Sequence, residues 1–270
     1  MRLTIATWNI NSVRLRAGLV TQFLADHGPD VLCLQETKCQ DDHFPTAAFR
    51  KAGYEHIAVH GQKGYHGVAV VSRIPIEARE AHRYCDKDDA RHIAVTLAGG
   101  GGAKGITLHN FYVPAGGDVP DPAVNVKFEH KLAFLDEMTR WGMRDKPAAG
   151  RSVLVGDLNI APLENDVWSH KQMLDVVSHT PLECKLLGQV QEAAGWVDAV
   201  RTLRPEPERL YTWWSYRAQD WQKADRGRRL DHVWLSPGLS GSLAGTEIVR
   251  HARSWERPSD HVPVMITLDV

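Results

Sequence analysis

Short apolar runs, each about as long as one strand, recur along the chain between segments whose apolar residues have helical spacing. The runs predict strands over residues 3–8, 30–34, 55–59, 68–72, 93–97, 106–112, 152–155, 230–235, 247–251 and 262–268. The helical spacing predicts helices from Leu15 to Leu24 and over 45–52, 123–141 and 182–194. Several neighbouring strands read as hairpins and no clean linker interrupts the pattern. We therefore predict a single α/β domain, 1–270, built as a sheet sandwich with outer helices.

Polar motifs stand at the ends of four of these predicted strands. They are Trp8-Asn9-Ile10-Asn11, Gln35-Glu36-Thr37-Lys38, Gly156-Asp157-Leu158-Asn159 and Ser259-Asp260-His261-Val262-Pro263. A rigid sheet can present side chains to a ligand at its strand ends. Carboxylates, carboxamides and an Asp-His pair together suit a divalent metal and the hydrolysis of a phosphate ester.

The overall charge gives no support for a nucleic-acid partner, because 32 Lys and Arg nearly balance 33 Asp and Glu. The segment 201–229 differs, with eight basic residues against four acidic ones. The aromatic rings of this segment are Tyr211, Trp213, Trp214, Tyr216 and Trp221. Such a segment is either a phosphate-facing patch or a solvated loop with core aromatics, and the sequence favours neither.

The four cysteines, at 33, 39, 85 and 184, have no CxxC pairing and no metal-type spacing with histidine. We expect free thiols in a reducing compartment. The first residues enter a strand directly, and no signal peptide or membrane-spanning run is recognisable. These features predict a cytoplasmic protein without a membrane partner.

Glu36 and Asn9 each follow an apolar strand, where a hard cation could use their oxygens. Taken alone, Glu36 is more often a surface acid, and Asn9 is more often a turn former or a helix cap. Asp157 and Asn159 are predicted to point to one side of an extended chain, where they suit water activation and charge stabilisation. The alternative for this pair is an Asx turn.

Asp260 and His261 lie between two prolines, which favours fixed side-chain directions, although a simple turn would look the same. Asp231 lies in an apolar strand, and a buried carboxylate there needs a partner such as an imidazole. Tyr112 ends another strand, and its phenol either donates to a phosphate oxygen or belongs to the core.

Taken in order, these residues resemble one known family. The resemblance rests on Asn9, Gln35-Glu36-Thr37, Asn110-Phe111-Tyr112, Gly156-Asp157-Leu158-Asn159, Arg229-Leu230-Asp231 and Ser259-Asp260-His261. The set is similar to the exonuclease III family of apurinic/apyrimidinic endonucleases, within the endonuclease/exonuclease/phosphatase fold, and spans residues 1 to 268. The motifs Gly-Asp-x-Asn and Ser-Asp-His are typical of the whole superfamily. The Gln-Glu-Thr-Lys motif and the segment Tyr211-Thr212-Trp213-Trp214-Ser215-Tyr216-Arg217 narrow the resemblance to the exonuclease III family.

The resemblance implies a four-layered α/β sandwich of two packed mixed β-sheets flanked by helices, as in DNase I. Glu36 would be the principal Mg²⁺ ligand, with Asn9 close to the ion. Asp157 would orient or deprotonate the attacking water, Asn159 and Tyr112 would stabilise the phosphate, and His261, supported by Asp231, would bind or protonate it. Asp260 would assist a second metal position. The implied metal-binding set is Asn9, Glu36, Asp157, Asn159, Asp260 and His261.

The resemblance also implies DNA contacts. They are assigned to Arg14, Lys63, Trp213, Arg217, Arg228 and Leu230. Trp213 and Leu230 match positions that line a pocket for a sugar without its base. Arg228 departs from the family, which commonly has an apolar residue there, and the loop 161–180 lacks the family's lysine-rich character. The first departure would alter the wall of this pocket. The second would affect how the protein holds DNA and the balance between endonuclease and 3′ exonuclease activity.

We predict a Mg²⁺-dependent (or Mn²⁺-dependent) DNA-repair nuclease that cuts 5′ to abasic sites and removes nucleotides or blocking groups from 3′ ends. Its partner would be double-stranded DNA, abasic or 3′-recessed, and by resemblance it would be a monomer. One alternative is a phosphodiesterase or phosphatase of the same fold that acts on a small or lipid phosphate. The other alternative is a non-catalytic nucleic-acid-binding scaffold.

Overall fold

A computed structural model describes residues 1–218 and 220–270. The strands of this described part are β1 Arg2–Asn9, β2 Val31–Gln35, β3 His56–His60, β4 Val68–Ser72, β5 Ile76–Glu80, β6 His92–Leu97, β7 Thr107–Tyr112, β8 Ser152–Asp157, β9 Val197–Asp198, β10 Trp213–Trp214, β11 Gly227–Arg228, β12 Asp231–Leu235, β13 Leu243–Ile248 and β14 Val264–Asp269. The helices are α1 Ala17–His27, α2 Thr46–Lys51, α3 Val126–Asp145, α4 His170–Met173, α5 Pro181–Ala194, α6 Ala199–Leu203, α7 Trp221–Ala224 and α8 Pro237–Ser240. Short 3-10 turns cover Asp41–His43, Gly101–Ala103, Pro147–Ala149, Glu164–Asp166 and Arg250–Ser254.

Two six-stranded mixed sheets form the centre of the fold. The first has the order β13-β14-β1-β2-β4-β3 and the second the order β5-β6-β7-β8-β12-β9. Only β1–β2 and β7–β8 are parallel among the pairs of the described strands. A small ribbon of β10 and β11 lies apart from both sheets. The arrangement confirms the predicted α/β sandwich of two mixed sheets.

The burial pattern explains the layering. Within β1, Leu3 and Ile5 pack into the cluster between the two sheets, whereas Ala6 and Trp8 belong to the cluster outside the first sheet. This alternation is the expected two-residue period of a strand buried on both faces. A third cluster, which includes Phe134 of α3, covers the outside of the second sheet. Helices therefore lie outside two packed sheets, as the sequence predicts.

Several strands differ from the prediction. The two-residue strands β9, β10 and β11 were not predicted. β5 was not predicted, because Ile76–Glu80 is an edge strand whose last four residues are exposed and mostly polar. β13 covers Leu243–Ile248 rather than 247–251, since residues 250–254 turn into a 3-10 helix. Its residues alternate only weakly between buried and exposed positions, so their apolar pattern is faint.

Two helices are also displaced from the prediction. α1 begins at Ala17, and Leu15 lies before it with 60% exposure. α3 covers Val126–Asp145 rather than 123–141, and its first residue is 75% exposed. Asn125 explains the start of α3, because its side chain accepts from the backbone N–H groups of Lys127 and Phe128. Capping chemistry, rather than hydrophobic spacing, determines where this helix begins.

The fold brings the polar ends of its central strands together. In the parallel pair β1–β2, Asn9 is the register partner of Gln35, the residue before Glu36. In the second sheet, Asp157 is the register partner of both Tyr112 and Asp231. The close approach of β7 to β8 requires a glycine at 156, because a Cβ there would lie 1.9 Å from the Phe111 carbonyl oxygen. These strand ends form one rim.

None of the described helices is long and apolar enough to cross a membrane. The four cysteines are free, as predicted, with Cys33 and Cys39 buried. Cys85 and Cys184 are partly exposed.

Two buried histidines on the outer face of the second sheet are expected to make the folded protein less stable at acidic pH. His92 is 2% exposed, and its Nε2 lies 3.4 Å from His109 Nδ1. Burial lowers the pKa of His92 well below its ordinary value and that of His109 to about 4. The unfolded chain titrates near 6.5, so it takes up protons first as the pH falls. This stabilisation is complete above pH 6.5 and is lost progressively toward pH 4.

We expect a melting temperature roughly 5 °C lower at pH 5 than at pH 7, measured by circular dichroism. His92→Gln should make this fall shallower because it removes one of the buried imidazoles. His43→Gln, at an exposed histidine, is the control and should leave the fall unchanged. A fall of equal depth in all three proteins would contradict this account.

Candidate active site

Asn9 joins the two carboxylates at the rim. Its Nδ2 donates to Glu36 Oε1 and to Asp157 Oδ2, both at 2.9 Å. Its Oδ1 accepts from the backbone N–H of Asn11 at 3.1 Å. The amide nitrogen, not the oxygen, therefore faces the carboxylates, which differs from the expected oxygen ligand. The reason is local, because the chain turns back at Asn11 and its N–H occupies the carboxamide oxygen.

Asp157 is held by two carboxamides. It is 1% exposed, and in addition to the Asn9 contact its oxygens accept from the Asn159 backbone N–H at 2.9 Å and from Asn159 Nδ2 at 3.1 Å. Asn159 Nδ2 also donates to the Val113 carbonyl oxygen at 2.9 Å. The predicted extended chain is wrong here, since Asn159 has φ 55° and the two residues form an Asx turn. The turn directs the Asn159 amide to Asp157.

A histidine and a second buried carboxylate complete the cluster. His261 Nδ1 lies 2.7 Å from Asp231 Oδ2, which confirms the predicted imidazole partner of Asp231. Thr212 Oγ1 donates to the same oxygen at 2.6 Å. His261 Nε2 lies 3.7 Å from Asp157 Oδ2. The imidazole is therefore fixed by Asp231 with its other nitrogen directed toward Asp157.

Glu36 receives three donors. Tyr112 donates its phenol to Oε1 at 2.9 Å, Lys38 Nζ lies 2.8 Å from Oε2, and Asn9 donates as described. In this structure the Tyr112 phenol donates to Glu36 itself, whereas the sequence suggested a phosphate oxygen. These three donors together fix the orientation of the Glu36 carboxylate at the cleft.

Burial and charge shift the titration of this cluster in opposite directions. Burial raises the pKa of Asp157, and the His261 charge opposes that rise only in part. Burial alone would lower the pKa of His261, but the charges of Asp231 and Asp157 outweigh it and raise the pKa. For Glu36, burial is outweighed by Lys38 and the Asn9 hydrogen bond, so the pKa lies below its ordinary value. At neutral pH the imidazole is therefore a cation between carboxylates.

The backbone around these residues is strained. Five residues at the rim that are not glycine adopt left-handed φ values, namely Asn11, Ser12, Glu36, Lys38 and Asn159. Each such conformation costs about 1–2 kcal/mol, and asparagine tolerates it best. Strained backbone that persists in a folded protein is a common feature of functional sites. Here the left-handed residues occur where the polar side chains turn into one cleft.

The cluster opens onto a cavity of about 610 Å³. Glu36, Asn159, Asp260 and His261 line one part of it. The rest of the wall comes from Ala115, Gly117 and Asp118, from the segment 168–178 and from the region of β10 and β11. The residues of these last two parts are Trp168, Gln172, Met173, Val176, Val177, Ser178, Trp213, Ser215, Arg217, Arg226, Arg228 and Leu230. The atypical loop noted in the sequence is therefore a wall of the cleft.

Asp260 supports an aromatic wall of this cavity. Its Oδ2 accepts from the indole N–H of Trp213 at 2.9 Å, and its Oδ1 accepts from Asn11 Nδ2 at 3.1 Å. Both carboxylate oxygens thus have protein donors. Trp213 is in turn bridged to His261 across an antiparallel contact. In this structure Asp260 orients Trp213, and its predicted metal role stays a prediction.

The structure separates the predicted DNA-binding residues into two groups. Those that line the cavity are Trp213, Arg217, Arg228 and Leu230. Arg14 and Lys63 are exposed and are not among the lining residues. The cavity therefore collects four of the six predicted contacts.

The basic segment 201–229 also divides. Arg229 is 1% exposed and pairs with Asp166 and Asp198, and Arg201 pairs with Asp166 as well. These buried charges are structural. Arg217 and Arg226, by contrast, are exposed and line the cavity with Arg228. The segment is therefore neither wholly a patch that faces the cavity nor a solvated loop, because two of its arginines form buried ion pairs.

Three residues of the site were not predicted. Lys38 contacts Glu36 and Thr212 contacts Asp231, and both lie within motifs quoted for the resemblance. Lys131 is 0% exposed and donates from Nζ to the Asn159 carbonyl oxygen at 2.8 Å and to Glu183 Oε1 at 2.5 Å. A single lysine three residues from both Phe128 and Phe134 in the apolar stripe of α3 is the signal that could have found it.

The donor set of the cleft fits a hard divalent cation. Glu36 and Asp157 both approach one amide nitrogen at 2.9 Å, so two carboxylates face a single point. The ligand atoms of Asp157, Asp231 and His261 all lie within 4.8 Å of one another, and Asp231 Oδ1 has no hydrogen-bond partner among the described residues. No cysteine lies in the cavity lining. Carboxylate oxygens and an imidazole are suitable ligands for a divalent metal ion.

This fold and this cluster define a class. The chain belongs to the endonuclease/exonuclease/phosphatase family, whose model matches residues 6–261. It is similar to exodeoxyribonuclease III of Haemophilus influenzae, with 29% identity over 96% of this chain and 97% of that protein. The family resemblance drawn from the sequence is therefore confirmed, and with it the assignment as a hydrolase of the nuclease type.

Solved structures give the same result. An AP endonuclease from Archaeoglobus fulgidus matches with a TM-score of 0.90 and 32% identity, over 99% of this chain and all of that chain. A 3′ phosphatase from Neisseria, bound to product DNA hairpin, matches with a TM-score of 0.89 and 32% identity over the same shares. These neighbours have different stated activities on a closely similar frame.

Proposed function

We propose that this protein is a metal-dependent DNA-repair nuclease that cleaves the phosphodiester 5′ to abasic sites and trims 3′ ends of duplex DNA. One observation carries the proposal, namely the convergence of Glu36, Asp157 and His261 at a cavity with basic and aromatic walls. Relatives that act as an exodeoxyribonuclease, an AP endonuclease and a 3′ phosphatase support DNA as the substrate.

The proposed mechanism is in-line attack of water on phosphorus. Asp157 accepts the proton of the water, since two carboxamides hold its carboxylate in place. His261 remains protonated because of Asp231, so it binds the phosphate and protonates the leaving oxygen. Asn9 and Asn159 act as positioning residues for the carboxylates, and Tyr112 orients Glu36.

Magnesium is the proposed ion, with manganese as a substitute. Glu36 and Asp157 would hold it, with Asn9, Asn159, Asp260 and His261 around them. A bound divalent cation offsets negative charge on the phosphate oxygens and on the leaving group. Arg217 and Arg226 would contact DNA phosphates, which makes affinity fall as salt increases.

We also propose the domain organisation, oligomeric state, compartment and repair process of the enzyme. The site draws on residues from Asn9 to His261, which supports one domain, 1–270, acting as a monomer. Free thiols, two of them partly exposed, support a reducing compartment such as the cytoplasm. Base excision repair is the proposed process, because an abasic nucleotide is extruded from the helix at little cost.

The test uses a duplex with one synthetic abasic site and a labelled 5′ end. With Mg²⁺ we expect one incision that leaves a 3′-hydroxyl, and with a chelator we expect a loss of about a hundredfold or more. Mg²⁺ added in excess should restore the activity. Efficient hydrolysis of an inositol phosphate with no cleavage of this duplex would instead favour the small-phosphate alternative.

A further inference from the structure

Arg228 lies on the cavity wall in line with the catalytic cluster. Its strand β11 pairs with β10 at Trp213, and Trp213 forms an antiparallel bridge to His261. Neighbouring strands are about 5 Å apart, so the three residues stand on successive lines across the cavity. The guanidinium lies 5.0 Å from the centre of the Trp213 ring. Arg228 therefore lies two strand spacings, about 10 Å, from His261 on the wall of the same cavity.

The wall opposite β10 holds the guanidinium of Arg228 in place. Its Nη1 donates to the Val177 carbonyl oxygen at 3.2 Å and to Ser178 Oγ at 2.9 Å. Ser178 is itself fixed, because its backbone N–H donates to both oxygens of Glu183 at 3.0 Å. The guanidinium is therefore preorganised between an aromatic ring and two neutral acceptors.

The charge of Arg228 has no counterion among the described residues. Its hydrogen bonds go to neutral groups, and its Nε is buried without an acceptor. Burial lowers its pKa, and Glu183 opposes that effect only at a distance. The adjacent Arg229 is the opposite case, since it pairs with Asp166 and Asp198. Arg228 is half-buried on the wall of the cavity, and a cation in such a place without a counterion is suited to an anion that enters the cavity.

The chemistry of DNA ends indicates which anion this is. A phosphodiester within a strand has an ester oxygen on each side of phosphorus. A phosphomonoester at a 3′ end has instead an anionic oxygen on the side away from its sugar, and it carries a charge of about −1.5 to −2 at pH 7. A guanidinium on that side of the reacting phosphorus distinguishes the two, because it is a strong donor to phosphate oxygens.

We propose that Arg228 is a specificity-determining residue that binds the terminal oxygens of a 3′-phosphate on duplex DNA and so favours 3′-dephosphorylation. The inference rests on the proposed nuclease function and adds a preferred end to it. Water attacks phosphorus, Asp157 takes its proton, and the bond from phosphorus to the 3′ oxygen breaks. The 3′ oxygen takes a proton from His261, and the products are a 3′-hydroxyl end and inorganic phosphate.

The test compares R228M with the unmodified chain on three duplexes. These have a recessed 3′-phosphate, the same recessed end with a 3′-hydroxyl, or one internal abasic site. Methionine keeps the length and removes the charge. We expect kcat/KM on the 3′-phosphate to fall about 10- to 100-fold, the effect of losing a hydrogen bond to a charged group. Cleavage of the other two duplexes should change by less than about threefold.

R50M is the matched control, because Arg50 is an exposed arginine that does not line the cavity. It should affect the three duplexes alike, by less than about threefold. R228K keeps a cation without the planar fork, so it should recover part of the activity on the 3′-phosphate. R228K also serves as the test variant should R228M fail to fold, with a loss confined to the 3′-phosphate duplex.

Three results would overturn the proposal for Arg228. They are an equal loss on all three duplexes, no loss on the 3′-phosphate, and an unmodified chain that acts on the other two duplexes but leaves a 3′-phosphate in place. An unmodified chain that cleaves none of the three would overturn the proposed nuclease function itself. The two failures are therefore distinguishable.

Discussion

Replacing Asp157 with Asn will lower turnover of an abasic duplex by about a thousandfold, which is within the range for loss of a general base. The carboxamide keeps the shape of the side chain, and its oxygen can still accept from the Asn159 backbone N–H. It cannot accept a proton from water. The variant should remain folded, since it removes a charge that is buried at 1% exposure. Initial rates with saturating Mg²⁺ measure the effect.

The control for this prediction is Asp118→Asn. Asp118 is an exposed acid that lines the same cleft, so its replacement changes the net charge equally without touching the cluster. We expect its turnover to stay within about twofold of the unmodified chain. Should D157N retain half of the original turnover, water would be activated elsewhere and the proposed mechanism would be wrong.

Replacing Lys131 with Met will lower the free energy of unfolding by about 3–5 kcal/mol, because the change leaves the Glu183 carboxylate buried without its partner. Both side chains are 0% exposed. Lys131 also donates to the Ala115 and Asn159 carbonyl oxygens at 3.3 and 2.8 Å. The loss therefore loosens the turn that carries Asn159, and activity should fall with stability. Urea unfolding followed by fluorescence measures the first effect.

Lys127→Met provides the matched control on the same helix, since Lys127 is exposed. Its free energy of unfolding should change by less than about 0.5 kcal/mol. The double variant K131M/E183Q should be less destabilised than the sum of the single variants, because Lys131 and Glu183 are direct partners. Additive effects would show that the ion pair contributes little and that packing explains the loss.

The position of the site could be predicted from the sequence, but the directions of its amides could not. Buried runs that end in Glu36 and Asp157 indicate strand ends, and strand ends in packed sheets meet at a rim. The orientation of Asn9 depends on a backbone N–H two residues later. That of Asn159 depends on a left-handed turn. Neither orientation can be predicted from the spacing of hydrophobic residues.

Charge partners were equally difficult to predict. Arg228 and Arg229 are adjacent residues of the same type. Arg229 nevertheless has two acidic partners, whereas Arg228 has none among the described residues. The partners of Arg229 lie 63 and 31 positions away in the chain. Local composition cannot specify such distant pairings. The edge strand β5 was missed for a related reason, since its residues are mostly exposed and have no apolar run.

The last strand has a consequence for how the protein is made. β14 lies between β13 and β1, and Arg2 is the register partner of Asp269. β1 can therefore complete its pairing in the first sheet only after β14 has been made, and such long-range pairing makes folding slow. Because His261 lies three residues before the start of β14, the catalytic centre cannot assemble in a nascent chain until this part of the chain has been synthesised.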